Sequence, residues 1–230
     1  MLLFLPLLLM NGPWIESKEF SRSTQERVLN ATLRLTTENP KGEGTAIRIG
    51  RQGPFVYYLT VNHNVERVDV ADLESYAADS FPTVRARIEK AKVLARNPGT
   101  DLAILRAYEA NPPGFLAALE SRPQKAPFAV LSSGCSLGKN PELLIDEVIR
   151  SIVAKTPQNV RAHVWETKKT PDPGRSGGPL VDVNGCLVGI CSGNNDGKGY
   201  YIQIQEVREF LKLQGLERLD YSLESSKSKK

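Results

Sequence analysis

About twelve short segments rich in β-branched, aromatic and other apolar residues run through this 230-residue chain, each closed off by Gly, Pro or Asn. The first six fall at 31–36, 45–49, 55–60, 67–70, 84–95 and 102–106, and the second six at 128–131, 148–154, 160–166, 179–183, 186–191 and 200–204. Leu33 and Leu35 alternate with Thr32, Arg34 and Thr36, as in a strand with one buried face. So many short strands expose long rows of unpaired backbone unless each set closes on itself. The expected fold is therefore all-β: two packed six-stranded antiparallel β-barrels with a cleft between them and a short C-terminal helix. The helix is read over 205–213 and ends at Gly215. The segment 142–155 fits a strand or, by its Leu144, Val148, Ile152 spacing, an amphipathic helix. Asn184-Gly185 predicts a two-residue hairpin turn with both residues at positive φ.

The expected boundaries are an N-terminal segment and lead-in over 1–24, a first barrel over 25–108, a proline-bounded connector over 109–127, a second barrel and helix over 128–213, and a charged tail over 214–230. The apolar run of residues 1–10 is far short of the roughly 20 residues a membrane span needs, so no transmembrane span is expected. It reads as the apolar part of an export signal, although no Lys or Arg precedes it. Of the net charge of +4, half comes from 222–230, and no basic stripe interleaved with aromatics appears, which argues against a nucleic-acid partner. Three cysteines, Cys135, Cys191 and Cys186, make no disulfide framework, and with two histidines at no ligand-like spacing neither a metal nor a cofactor is expected.

Chemistry concentrates in Pro173-Gly174-Arg175-Ser176-Gly177-Gly178-Pro179-Leu180. A serine attacking a carbonyl needs donors for the oxyanion, and glycine permits the backbone dihedrals that turn the N–H groups of Gly174 and Ser176 inward. Gly-x-Ser-x-Gly also marks the nucleophile elbow of α/β-hydrolases, but that fold places its histidine after the serine, and both His63 and His163 precede Ser176. His63 follows a predicted strand where a side chain can face a cleft, whereas His163 lies inside one, so His63 is the candidate base. A carboxylate must orient that imidazole. Asp101 opens an apolar strand after Asn97-Pro98-Gly99-Thr100, a position equally suited to satisfying a turn amide.

Leu59 to Val65, Thr100 to Leu105 and Gly174 to Leu180 together resemble, in order, the histidine, aspartate and serine motifs of trypsin-like (chymotrypsin-fold) serine proteases. Gly42-Glu43-Gly44-Thr45 and Asp172-Pro173-Gly174-Arg175-Ser176 are similar to the bacterial HtrA (Deg) branch, here without room for its PDZ domain. The resemblance implies an endopeptidase with His63, Asp101 and Ser176 as triad and the amides of Gly174 and Ser176 as oxyanion hole. Its substrates would be polypeptides, including unfolded ones by analogy with that branch; the apolar run at 1–10 points to export to the bacterial periplasm, envelope or exterior, with the cytoplasm left open. The resemblance also places the primary pocket at Thr170, Cys191, Ser192, Gly193, Gly199, Tyr200 and Tyr201. No acid stands at Thr170, so a desolvated Lys or Arg is disfavoured there and a small or medium apolar residue is expected before the cut. Arg175 departs from the pattern. It stands where animal digestive enzymes carry the aspartate that pairs with a newly freed N-terminus, and it leaves open a second reading as a latent or inactive trypsin-fold binding module. A chymotrypsin-like cysteine protease would need cysteine where Ser176 stands.

Overall fold

A computed structural model describes residues 14–117, 124–155 and 160–220 of the chain. The apolar run at 1–10 lies outside the described residues, as does the basic end. A helix, α1 (Arg22–Ala31), precedes six strands: β1 (Thr32–Thr37), β2 (Gly42–Gln52), β3 (Phe55–Thr60), β4 (Val70–Ser75), β5 (Ala86–Asn97) and β6 (Leu102–Tyr108). These close antiparallel in the order β1-β2-β3-β6-β5-β4. After the connector come β7 (Phe128–Gly134), β8 (Glu142–Lys155), β9 (Arg161–Thr167), β10 (Pro179–Val181), β11 (Leu187–Asn195) and β12 (Lys198–Gln203), closed as β10-β11-β12-β9-β8-β7, and then α2 (Ile204–Leu213). Two six-stranded barrels and a short C-terminal helix are what the segment pattern predicts.

Inward residues fill each barrel. Leu33, Leu35, Tyr58, Leu73 and Leu105 lead the first interior, and Val130, Trp165, Leu180, Val188 and Tyr201 the second. A larger cluster joins Ile47, Leu59 and Ile104 of the first barrel to Leu131, Val181 and Ile190 of the second and to Val207 and Phe210 of α2. The barrels thus share one continuous apolar seam.

Local departures from the sequence reading have physical causes. Residues 142–155 form β8, a strand that pairs with β7 on one side and β9 on the other. A spacing of four keeps side chains on one face of a strand as well as of a helix, so Leu144, Val148 and Ile152 could not decide between them. β4 begins where its predicted segment ends, because its inward positions are the small residues Ala71 and Ser75 around Leu73. The hairpin at 184–185 is not the two-residue turn predicted. Gly185 alone has positive φ (+72°), its N–H donates to the Asp182 carbonyl at 2.8 Å, and the loop is a three-residue turn with Gly in the left-handed position. α1 was not expected; Ser21 caps it by accepting from the Thr24 N–H at 3.1 Å. The stretch assigned to the tail starts as packed structure, with Leu216 and Leu219 buried and Asp220 bridged to Arg51.

Candidate active site

β3 runs out of the first barrel at Thr60 and turns sharply at Asn62–Asn64, which places His63 at the barrel rim, its side chain 45% exposed. Asp101 heads β6 at the same rim with φ +58°, a left-handed position that Asp tolerates better than most residues. Its backbone carbonyl accepts from Asn62 N–H at 3.0 Å and its Oδ1 from His63 N–H at 3.0 Å. Oδ2 lies 2.8 Å from His63 Nδ1 and accepts from the Ser192 hydroxyl at 2.7 Å. A carboxylate only 15% exposed is thus held by a backbone amide, an imidazole and a hydroxyl. Since a carboxylate only accepts, Nδ1 carries a proton, and in the neutral imidazole Nε2 is then the acceptor.

Ser176 sits in a loop sewn into both barrels. Its carbonyl accepts from Thr45 N–H at 2.8 Å and from Asn64 Nδ2 at 2.9 Å, so the turn that carries His63 also fixes the serine backbone. Gly177 N–H donates to the Cys191 carbonyl at 2.7 Å, and Thr45 Oγ1 to the Gly174 carbonyl at 2.7 Å. Gly177 has φ +91°, and a Cβ there would lie 1.9 Å from the Thr45 carbonyl oxygen, so only glycine fits. At Gly44 a Cβ would run into the Asn64 side-chain amide, so a larger residue there would displace the group that holds the Ser176 carbonyl. The Ser176 hydroxyl makes a long contact, 3.5 Å, to the Ser192 carbonyl, and no hydrogen bond joins it to the His63 ring. Such contacts often tighten only when substrate is bound.

Gly174 has φ +90°. The preceding Pro173 carbonyl accepts from Leu137 N–H at 2.7 Å. In a trans peptide the C=O and N–H point opposite ways, so the Gly174 N–H faces away from Leu137. Arg175, the departure noted in the sequence, is buried, 3% exposed, beneath the loop.

A groove of about 610 Å³ opens beside His63 and Asp101, walled by Ser192, Gly193 and Tyr200 and floored by apolar side chains including Ile152, Val164 and Ile202. Of the other expected pocket residues, Cys191 and Tyr201 are buried to 2% and 1% exposure, and burial pushes the Cys191 thiol up to about 12. Thr170 is exposed, while the buried Pro171 and Thr167 crowd Gly199, where a Cβ would meet Pro171 Cδ at 2.9 Å. Asn194, absent from the expected set, donates through Nδ2 to the Pro171 carbonyl at 2.9 Å and ties these walls together. His163 is a β9 strand residue whose N–H donates to Glu206. The roles of Ser192, Asn64 and Asn194 carried no sequence signal beyond a polar side chain near a motif.

A family model described as "Trypsin-like peptidase domain" matches residues 44–190. The chain is 28% identical over 142 residues to the serine protease Do-like HtrB of Bacillus subtilis, covering 59% of this chain and 29% of that protein. It is 26% identical over 167 residues to a probable periplasmic serine endoprotease DegP-like of Chlamydia pneumoniae, covering 70% of this chain and 30% of that protein. The chain therefore spans about a third or less of the length of these curated relatives. The active form of the Rv3671c protease from M. tuberculosis superposes with a TM-score of 0.68 at 22% identity, covering 89% of each chain. That likeness concerns the fold.

Proposed function

Because the chain belongs to the trypsin-like peptidase family, we propose that it is a serine endopeptidase in which His63, Asp101 and Ser176 form the triad. Ser176 Oγ attacks the scissile carbonyl as His63 Nε2 takes its proton, and Asp101 holds the imidazole and stabilises the imidazolium. The N–H groups of Gly174 and Ser176 receive the oxyanion. The imidazolium then protonates the departing amine, leaving an acyl-enzyme that water, activated by the same histidine, hydrolyses.

The observation that carries this proposal is the 2.8 Å contact between His63 Nδ1 and Asp101 Oδ2, reinforced by the Ser192 hydroxyl. A residue at a loop-strand junction that merely satisfied a turn amide would need neither. In substrate choice, the crowding of Gly199 by Pro171 and the Asn194 tie support a side chain of small or medium size, apolar by the absence of an acid at Thr170, before the cut, and the apolar groove supports apolar residues further upstream. Substrates are polypeptides in extended form. The relatives' names and the apolar run at 1–10 support export; among the described residues no helix is long and apolar enough to cross a membrane.

The test is labelling by a fluorophosphonate probe, which reacts with activated serines. Wild type is expected to label, and folded Ser176→Ala and His63→Ala variants are not. A folded wild type that stays unlabelled would leave the binding-module reading.

A further inference from the structure

Arg175 immediately precedes Ser176, yet its side chain runs away from the cleft into the second barrel. Nη2 donates to Ser132 Oγ at 3.0 Å, and Nη1 to the Glu142 carbonyl at 3.2 Å, Ser136 Oγ at 3.3 Å and, at its limit, the Gly134 carbonyl at 3.5 Å. All four partners are neutral oxygens, and Nε is buried without a partner. Burying a guanidinium on neutral oxygens alone is costly, and stability does not explain it: apolar residues of similar volume often serve as well or better. The surroundings are shaped to this stem. A Cβ at Gly134 would lie 3.0 Å from both Cα and Cβ of Arg175.

The four partners lie along β7, the turn at Ser136–Gly138 and the start of β8. That turn also supplies Leu137 N–H, which holds the Pro173 carbonyl at 2.7 Å and so sets the direction of the Gly174 N–H. The geometry points to Arg175 as a positioning residue that clamps the Ser136–Gly138 turn to the nucleophile loop and thereby keeps the Gly174 N–H aimed at the oxyanion without any activating cleavage. This rests on the peptidase proposal above. A planar fork reaches several oxygens at once from one direction, which an ammonium or a thioether cannot copy.

The experiment measures the second-order rate of fluorophosphonate labelling per folded molecule, since the phosphonyl oxygen occupies the oxyanion hole in the adduct. Loss of one oxyanion donor costs roughly 100- to 1,000-fold; Arg175→Met, which misplaces a donor without deleting it, is expected to slow labelling about 10- to 100-fold. Arg175→Lys should recover only part of the rate, and millimolar ethylguanidine, which replaces the atoms beyond Cβ, should accelerate Arg175→Ala while leaving wild type unchanged. A purely structural arginine would lower the melting temperature and leave the labelling rate of the folded fraction at the wild-type value, which overturns the inference. If Arg175→Met does not fold, Ser136→Ala tests the same path, with slower labelling supporting it and an unchanged rate overturning it. Failure of wild type to label refutes the peptidase proposal, whereas a labelled wild type with an unaffected Arg175→Met refutes the clamp alone.

Discussion

At the residue scale, Asp101 carries the sharpest prediction. Its Oδ2 accepts hydrogen bonds from both His63 Nδ1–H and the Ser192 hydroxyl. Asp101→Asn can keep the packing, but its amide would present a donor to one of these groups and stabilise the wrong imidazole tautomer. The expected loss in labelling rate is on the order of 1,000- to 10,000-fold with little change in melting temperature. A loss under about tenfold would assign Asp101 to turn satisfaction instead. Ser176 and His63 were legible as candidates because chemistry restricts each role to few residue types and chain order removed the main rival, whereas Asp101 was singled out only by the resemblance of Thr100 to Leu105 to the family's aspartate motif. The hydroxyl of Ser192 and the amide of Asn64 were not legible in these roles, since nothing local determines which distant oxygen a Ser or Asn will meet. Arg175 was legible only as an anomaly.

At the element scale, three strands beside the groove are held by a surface clamp. Arg150 on β8 donates to both oxygens of Glu166 on β9, at 3.1 and 2.8 Å, and Tyr200 on β12 reaches the same carboxylate at 3.4 Å. Hydrogen bonding from Arg150 holds the Glu166 carboxyl below its usual range. A carboxyl depressed in the folded state contributes stability that is complete above its unfolded value of about 4.3 and is lost as pH falls through the lower folded value. The melting-temperature gap between wild type and Glu166→Gln should therefore be open at pH 7 and close towards pH 3. Arg150 is 64% exposed, so high salt should narrow the gap at pH 7 as well. A gap independent of both pH and salt would rule the clamp out. Strand existence was legible from composition, and β3 matched to the residue because Phe55 to Thr60 is an unbroken run of strong β-formers. Where inward residues are small, as in β4, or periods coincide, as in β8, partner strands decide.

At the scale of the whole molecule, the candidate site draws His63 and Asp101 from one barrel and Ser176 from the other, so the proposed chemistry requires the barrels to stay registered. The apolar seam joining Ile47, Leu59 and Ile104 to Leu131, Val181 and Ile190 supplies that registration and predicts that the barrels unfold together. A polar cluster on the opposite face of β2 from the seam residue Ile47 offers the test. Arg48 of β2, fully buried, pairs with Glu109 at 2.6 Å and donates to Ser75 Oγ and the Asn30 carbonyl, while Tyr58 donates to Glu109 at 2.8 Å and burial pushes its phenol well up. Glu109→Ala strands the guanidinium, at a cost of about 3 to 5 kcal/mol. In a folded unit of this size each kcal/mol is worth roughly 2 to 4 °C. Trp165 reports on the other barrel, where it packs edge-on against Phe128, and Trp14→Phe leaves it the sole tryptophan. In that background Glu109→Ala should lower the Trp165 fluorescence transition and the far-UV transition by the same roughly 6 to 20 °C. A Trp165 transition that stayed in place while the far-UV signal split would mean that the seam does not couple the barrels, and that registration of His63 with Ser176 rests on the loop contacts of Thr45 and Asn64 alone.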